Sequence, residues 1–118
     1  MWSRHLASKG RTVPAQQERL GLVDTGASRT CIDISITRQL GLLPLQTTPV
    51  ATPSGIEERG VYPVRLEFPD MPIPTHAFLR VLAVDLAGMG VGVLIGRDIL
   101  QNCLMIWNGR TGEVTLAY

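Results

Sequence analysis

Short apolar runs broken by Gly and Pro recur along the whole chain, the texture of a small all-β domain. Leu20-Gly21-Leu22-Val23 reads as a strand running into Asp24, and Thr30-Cys31-Ile32 resumes a strand a few residues later. Asp33 is then a candidate N-cap for a short helix through Arg38-Gln39-Leu40, with Gly41 as its C-terminal glycine. The β-rich runs Thr47 to Thr52 and Val61 to Phe68 flank the polar section Pro53-Ser54-Gly55-Ile56-Glu57-Glu58-Arg59-Gly60, which predicts a long hairpin around a Ser54-Gly55 turn. From Val61 onward apolar and polar residues partly alternate, as in a strand with one wet face. Prolines after Phe68 mark a loop, and His76 to Val84 is the next strand. Val91 to Ile95 is a fully apolar strand ending at Gly96, after which Asp98 can cap a second helix from Ile99 to about Cys103. Leu104 to Trp107 and Glu113 to Leu116 close the chain as a hairpin with Asn108-Gly109 in its turn.

A length of 118 residues fits one domain, 1–118, with an atypical polar segment over 1–19 and a core over 20–118. It is too short for two lobes with a cleft between them, so a deep active-site cleft requires a second chain. The net charge of +1 comes from scattered residues without a basic stripe, which argues against nucleic acid as a partner. Residues 1–6 hold no continuous apolar region, and no run approaches the roughly 18 residues of a membrane span. A cytoplasmic protein with no membrane partner is the expectation. Cys31 and Cys103 are too few and too far apart for a disulfide framework or a zinc site, and read as buried free thiols. His5 and His76 are solitary, so no metal is expected, and Phe78 and Trp107 read as core or dimer-interface packing. Gly88-Met89-Gly90-Val91-Gly92 precedes a strand instead of opening a helix, which makes it a flexible loop and not a phosphate cradle.

The chemistry lies in Asp24-Thr25-Gly26. Gly26 lets the backbone turn sharply while Asp24 is presented at the end of an apolar strand. Hydrolysis of a peptide without a metal or a covalent intermediate needs one carboxylate as base to activate water and one carboxylic acid to polarise the carbonyl. Two carboxylates close enough to share a proton divide those roles, as in the aspartic-protease dyad that is the standard example of the effect. The chain carries a single such motif, so twofold symmetry must supply the other.

Leu22-Val23-Asp24-Thr25-Gly26-Ala27-Ser28, followed downstream by Val93-Leu94-Ile95-Gly96-Arg97-Asp98-Ile99-Leu100, resembles the retropepsin-like (retroviral-type) aspartic peptidases, and among them the cellular, bacterial and retrotransposon branches more than the compact viral enzymes. The resemblance spans about Leu20 to Leu116. It implies a small closed acid-protease barrel, a single retropepsin-like lobe with one or two short helices and a flap hairpin. It also implies an aspartic endopeptidase that works as a homodimer without a cofactor on peptide or protein substrates. Carried over by position, Asp24 is catalytic, and Thr25 and Gly26 support the dyad. Gly26, Ala27 and Ser28 line the substrate path together with Ser54 and Gly55 of the flap, and Gly96 and Arg97 are structural. Viral relatives commonly have an acidic residue at the position of Ser28, paired with the Arg of the Gly-Arg segment. Its absence leaves Arg97 to find another partner, Asp33 or a backbone carbonyl. The flap also has Pro53-Ser54-Gly55 instead of a glycine-rich tip, and Thr12 to Arg19 is polar where the family has an extended strand. The alternative function is a noncatalytic peptide-binding or dimerisation module that keeps a protease fold.

Overall fold

A computed structural model describes residues 16–118, so His5 and most of the atypical segment 1–19 lie outside the described residues. The elements are β1 (Gly21–Val23), β2 (Cys31–Asp33), α1 (Ile34–Gln39), β3 (Gln46–Thr52), β4 (Gly55–Leu66) and β5 (His76–Val84). A single 3₁₀ turn (Ala87–Met89) leads into β6 (Val93–Ile95), α2 (Arg97–Leu100), β7 (Leu104–Trp107) and β8 (Val114–Ala117). The chain is mostly β with short helices, as its punctuation by Gly and Pro implies.

Six strands form one mixed sheet in the order β1-β6-β2-β5-β4-β3, and β7 pairs only with β8 in a separate two-stranded sheet. β1 runs parallel to β6 and β2 parallel to β5, while the β2–β6, β3–β4 and β4–β5 pairs are antiparallel. The closed barrel expected from the resemblance is corrected here: among the described residues the sheet is open. Its outermost strands, β1 and β3, are not bonded to each other, and the tail pairs with itself through Leu104↔Ala117 to Trp107↔Val114. The molecule is accordingly flattened, measuring 52 × 37 × 23 Å.

Burial follows strand position. Val81, Leu82 and Ala83 of β5 are consecutive and all buried, because β5 lies in mid-sheet and is covered on both faces. The core gathers Ile32, Ile36, Val64, Val81, Ile95 and Ile99 from six elements, and Leu116 of the tail packs against it. Pro49 lies in β3 at the sheet edge, and Pro63 falls beyond the last β3 pair, Gln46↔Val61, where one side of β4 has no neighbour. Both positions tolerate a residue without an N–H.

The helix expected after Asp33 forms as read. The Asp33 carboxylate accepts from Ser35 N at 3.2 Å and from the Ser35 hydroxyl, and Gly41 takes the left-handed conformation (φ 63°) just past the C-cap Leu40. Asp33 also accepts from Leu86 N at 2.7 Å, tying the 3₁₀ turn to the head of α1. The hairpin around Pro53-Ser54 is longer than its apolar residues suggested, since the polar run from Gly55 to Gly60 is itself strand, paired from Thr52↔Gly55 to Thr47↔Gly60.

Three readings are corrected. The second helix spans Arg97–Leu100 instead of Ile99 to Cys103, and its N-cap is Gly96, which has no side chain to bond; Asp98 lies in the first turn, where its carboxylate accepts from Ile99 N and from Thr30. Phe78 and Trp107 are 72% and 69% exposed and do not belong to the core of this chain. Cys31 and Cys103 are free thiols but only half-buried; burial, then the nearby Asp98 carboxylate, pushes the Cys31 thiol up.

Two measurements check this framework. Ile99 has no exposed surface, so Ile99→Ala should lower unfolding free energy in urea by about 2–5 kcal/mol, whereas Leu43→Ala at an exposed site should stay within about 0.5 kcal/mol. The Ser35 hydroxyl, followed by the Leu86 amide, holds the Asp33 carboxyl below its usual range. A depressed folded-state pKa stabilises the fold at pH values above the unfolded pKa of about 3.9, and that contribution fades as pH falls through the folded value. The stability gap between the native chain and Asp33→Asn should therefore be constant above about pH 5 and shrink on acidification. A gap that does not change with pH would remove Asp33 from this role.

Candidate active site

β1 delivers Asp24 to the point where the strand ends, and the β1–β6 ladder continues one bond further, with Asp24 N donating to Ile95 O at 2.9 Å. The chain then turns on itself. Gly26 N donates to Asp24 Oδ1 at 2.9 Å and Ala27 N to Asp24 O at 3.2 Å, so the carboxylate is oriented by its own loop. A Cβ on Gly26 would stand 3.2 Å from that Oδ1, so a larger residue there would press on the carboxylate. Asp24 is half-exposed and Thr25 and Gly26 are exposed, so the loop is locked through its backbone while its side chains face outward.

The segment after β6 holds the loop from the other side. Arg97 N donates to Ala27 O and Arg97 Nη1 to Thr25 O, both at 2.8 Å. Of the partners open to Arg97 in the absence of an acidic residue at Ser28, the structure selects a backbone carbonyl; Asp33 is committed to capping α1. Gly96 sits where two chain segments cross. A Cβ there would lie 2.5 Å from the Arg29 carbonyl carbon and 2.8 Å from Thr30 N, distances that no side chain tolerates.

Thr30 joins the crossing to α2. It is fully buried, its hydroxyl donates to Asp98 Oδ1 at 2.7 Å, and the same oxygen accepts from Gly96 N at 3.1 Å. Thr30 N donates to both Asp98 oxygens at 3.0 Å, and Thr30 O accepts from Leu82 N at 3.1 Å. Sequence reasoning missed this pair. Asp98 looked like a helix cap and Thr30 like the first residue of a strand, and nothing in a single sequence couples residues that far apart.

Asp24, Thr25, Gly26 and Ala27 thus come together with Gly96 and Arg97, and Ser28 lies exposed on the same loop. Ser54 and Gly55 do not join them through the sheet. They stand at the β3–β4 tip, with Gly55 at φ 120°, and β3 and β1 are opposite edges of the strand order. Beside the Asp24 loop, Thr25, Arg97, Leu100, Gln101 and Met105 line an apolar hollow of about 240 Å³. A larger hollow of about 710 Å³ opens between Gln16–Leu20 and β4 and does not include Asp24. Among the described residues no cluster of His, Cys, Asp and Glu is arranged to hold a metal ion, and no helix is long and apolar enough to cross a membrane.

Comparison with protein-family models, with curated proteins and with solved structures returned no match to this chain, so the site stands on its own geometry. That geometry is most sensitive at Gly96. Because the atoms a methyl group would strike are backbone, Gly96→Ala should destabilise the fold by about 1–3 kcal/mol or more in urea unfolding. Gly88→Ala, where a Cβ meets nothing within 4 Å, is the control. Equal stability of the two variants would show that the crossing is looser than the structure has it.

Proposed function

We propose that the chain is one half of a homodimeric, retropepsin-like aspartic endopeptidase, with Asp24 of each copy supplying one carboxylate of the dyad. The observation that carries the reading is the Asp24-Thr25-Gly26 loop fastened by its backbone to the β6–Gly96–Arg97 segment, with a carboxylate held at the end of a strand and open to solvent. This is a preorganised acid or base with no second carboxylate on its own loop, and catalysis of peptide hydrolysis without a metal or a covalent intermediate uses both.

Exposed apolar surface beside the loop supports the second copy. Leu104, Ile106 and Trp107 of β7 are 63%, 57% and 69% exposed, and Val114 and Tyr118 beside them are also exposed. Adjacent residues of a strand point to opposite faces, so this hairpin is apolar on both, and a lone two-stranded hairpin of that kind is marginal in water. Met105 of the same hairpin lines the hollow beside Thr25 and Leu100.

In the mechanism one Asp24 is ionised and takes a proton from the attacking water, while the other is neutral and hydrogen-bonds the scissile carbonyl oxygen. Collapse of the tetrahedral intermediate passes a proton to the leaving amine and exchanges the roles of the two carboxylates. The peptide lies extended, pairing with exposed backbone as an added strand, with the β3–β4 hairpin as the flap and Ser54 and Gly55 at its tip. Gly26, Ala27 and Ser28 offer backbone on the dyad side. No cofactor takes part.

Two observations favour a second reading, a noncatalytic peptide-binding or dimerisation module: the sheet is open among the described residues, and Ser28 leaves Arg97 bonded to a backbone carbonyl. Cleavage of a mixed peptide library between about pH 4 and 7 separates the two, with Asp24→Asn expected to reduce the rate by about a hundredfold or more. Equal cleavage by both proteins sinks the assignment to Asp24, and no cleavage by either favours the binding module. Sedimentation across a concentration series should give a dimer, and Trp107→Glu should shift it towards monomer and remove activity with it.

A further inference from the structure

We propose that Asp98, acting through the buried hydroxyl of Thr30, is the residue that positions the Asp24 loop; as a statement about catalysis this rests on the peptidase reading above. Asp98 does not touch the loop. Its carboxylate accepts from Thr30 N, from Thr30 Oγ1 and from Ile99 N, all at 2.7–3.0 Å. A carboxylate only accepts, so the single Thr30 hydroxyl proton must point towards Asp98 and the oxygen lone pairs towards Gly96 N, where a bond of 3.1 Å is found. Asp98 therefore fixes the direction of the bond that holds Gly96.

The residues on either side of Gly96 hold the catalytic loop. Ile95 O receives Asp24 N, and Arg97 bonds Ala27 O through its amide and Thr25 O through its guanidinium. Gly96 cannot be held by packing of its own side chain, and a Cβ would collide with Arg29 and Thr30. Its position is set by hydrogen bonding, and the Thr30 hydroxyl is the acceptor. Thr30 O, bonded to Leu82 N, anchors the same residue to the middle of the sheet. The path from Asp98 to Asp24 thus runs through buried or backbone bonds fixed to rigid elements, the arrangement that supporting residues of a preorganised site require.

Thr30→Val keeps the shape and removes the hydroxyl, leaving the Gly96 N–H without its acceptor; Thr30→Ser restores the hydroxyl, and Asp98→Asn tests the carboxylate with less disturbance of packing. Native-state hydrogen exchange is read at Gly96 and Asp24 against Val81, which lies in mid-sheet and reports general stability. In Thr30→Val, exchange at Gly96 and Asp24 should rise about tenfold more than at Val81, Thr30→Ser should return it to the native ratio, and Asp98→Asn, whose amide oxygen can still accept from the Thr30 hydroxyl, should raise it selectively but by less than Thr30→Val. Where the native protein cleaves peptides, Thr30→Val should lower kcat by about tenfold and Asp98→Asn by less, with KM unchanged within about twofold. Parallel increases at all three amides, or loss confined to KM, overturn the proposal. Selective exchange in a protein that cleaves nothing upholds Asp98 as the positioning residue and defeats the peptidase reading alone.

Discussion

At Gly96 two stretches of backbone pass so closely that no side chain fits between them, and the arrangement of the site follows from that crossing. Gly96 directly follows β6, the strand that pairs with β1 on one side and β2 on the other, and the chain between β1 and β2 is the Asp24 loop together with Arg29 and Thr30. Bringing Thr30 across Gly96 closes that loop into a defined span. It also buries a hydroxyl and two amides, which is tolerable only because each finds a partner. The carboxylate of Asp98 meets most of that demand. A pair of polar residues that would destabilise the core separately becomes, together, what holds it in register.

A different tension runs through the rest of the molecule. The centre of the sheet is well buried, yet β1 and β3 are both edges and the β7–β8 hairpin carries large apolar residues outward. Leu116 is the hairpin's inward contact with the core. Edges and apolar faces of this kind are liabilities in a monomer and ordinary features of a subunit. The proposed dimer resolves the surface problem and the shortage of carboxylates with the same partner, and these two arguments are independent, one from exposure and one from reaction chemistry.

How far the sequence was legible depends on the range of the interaction. β5 was read to the residue, as was the Asp33 cap, because alternation, apolar runs and capping are local. The motif at Asp24-Thr25-Gly26 and its distant companion around Gly96 were visible as residue types, and they do meet. The crossing partner of Gly96 was not visible, since Thr30 and Asp98 carry no local pattern and Asp98 satisfied a plausible local rule instead. The barrel expectation failed for a related reason: closure is a property of which edges pair, and strands signal their existence far more clearly than their neighbours. Trp107 was read as core or interface on size alone, and its exposure removes only the first of these.

Among the described residues, Gly26, Ala27, Ile95 and Arg97 of the same chain contribute the bonds that shape the Asp24 loop. On the proposed reading each subunit therefore carries a fully formed half-site before it assembles, and association adds the second carboxylate without having to order the first. Little conformational entropy is then lost at the loop on dimerisation, so the affinity is set by the apolar hairpin and the hollow beside Thr25. Activity would follow the concentration of dimer and not the stability of the fold, because a monomer can be well folded with its catalytic loop in place and still lack one of the two groups the chemistry needs.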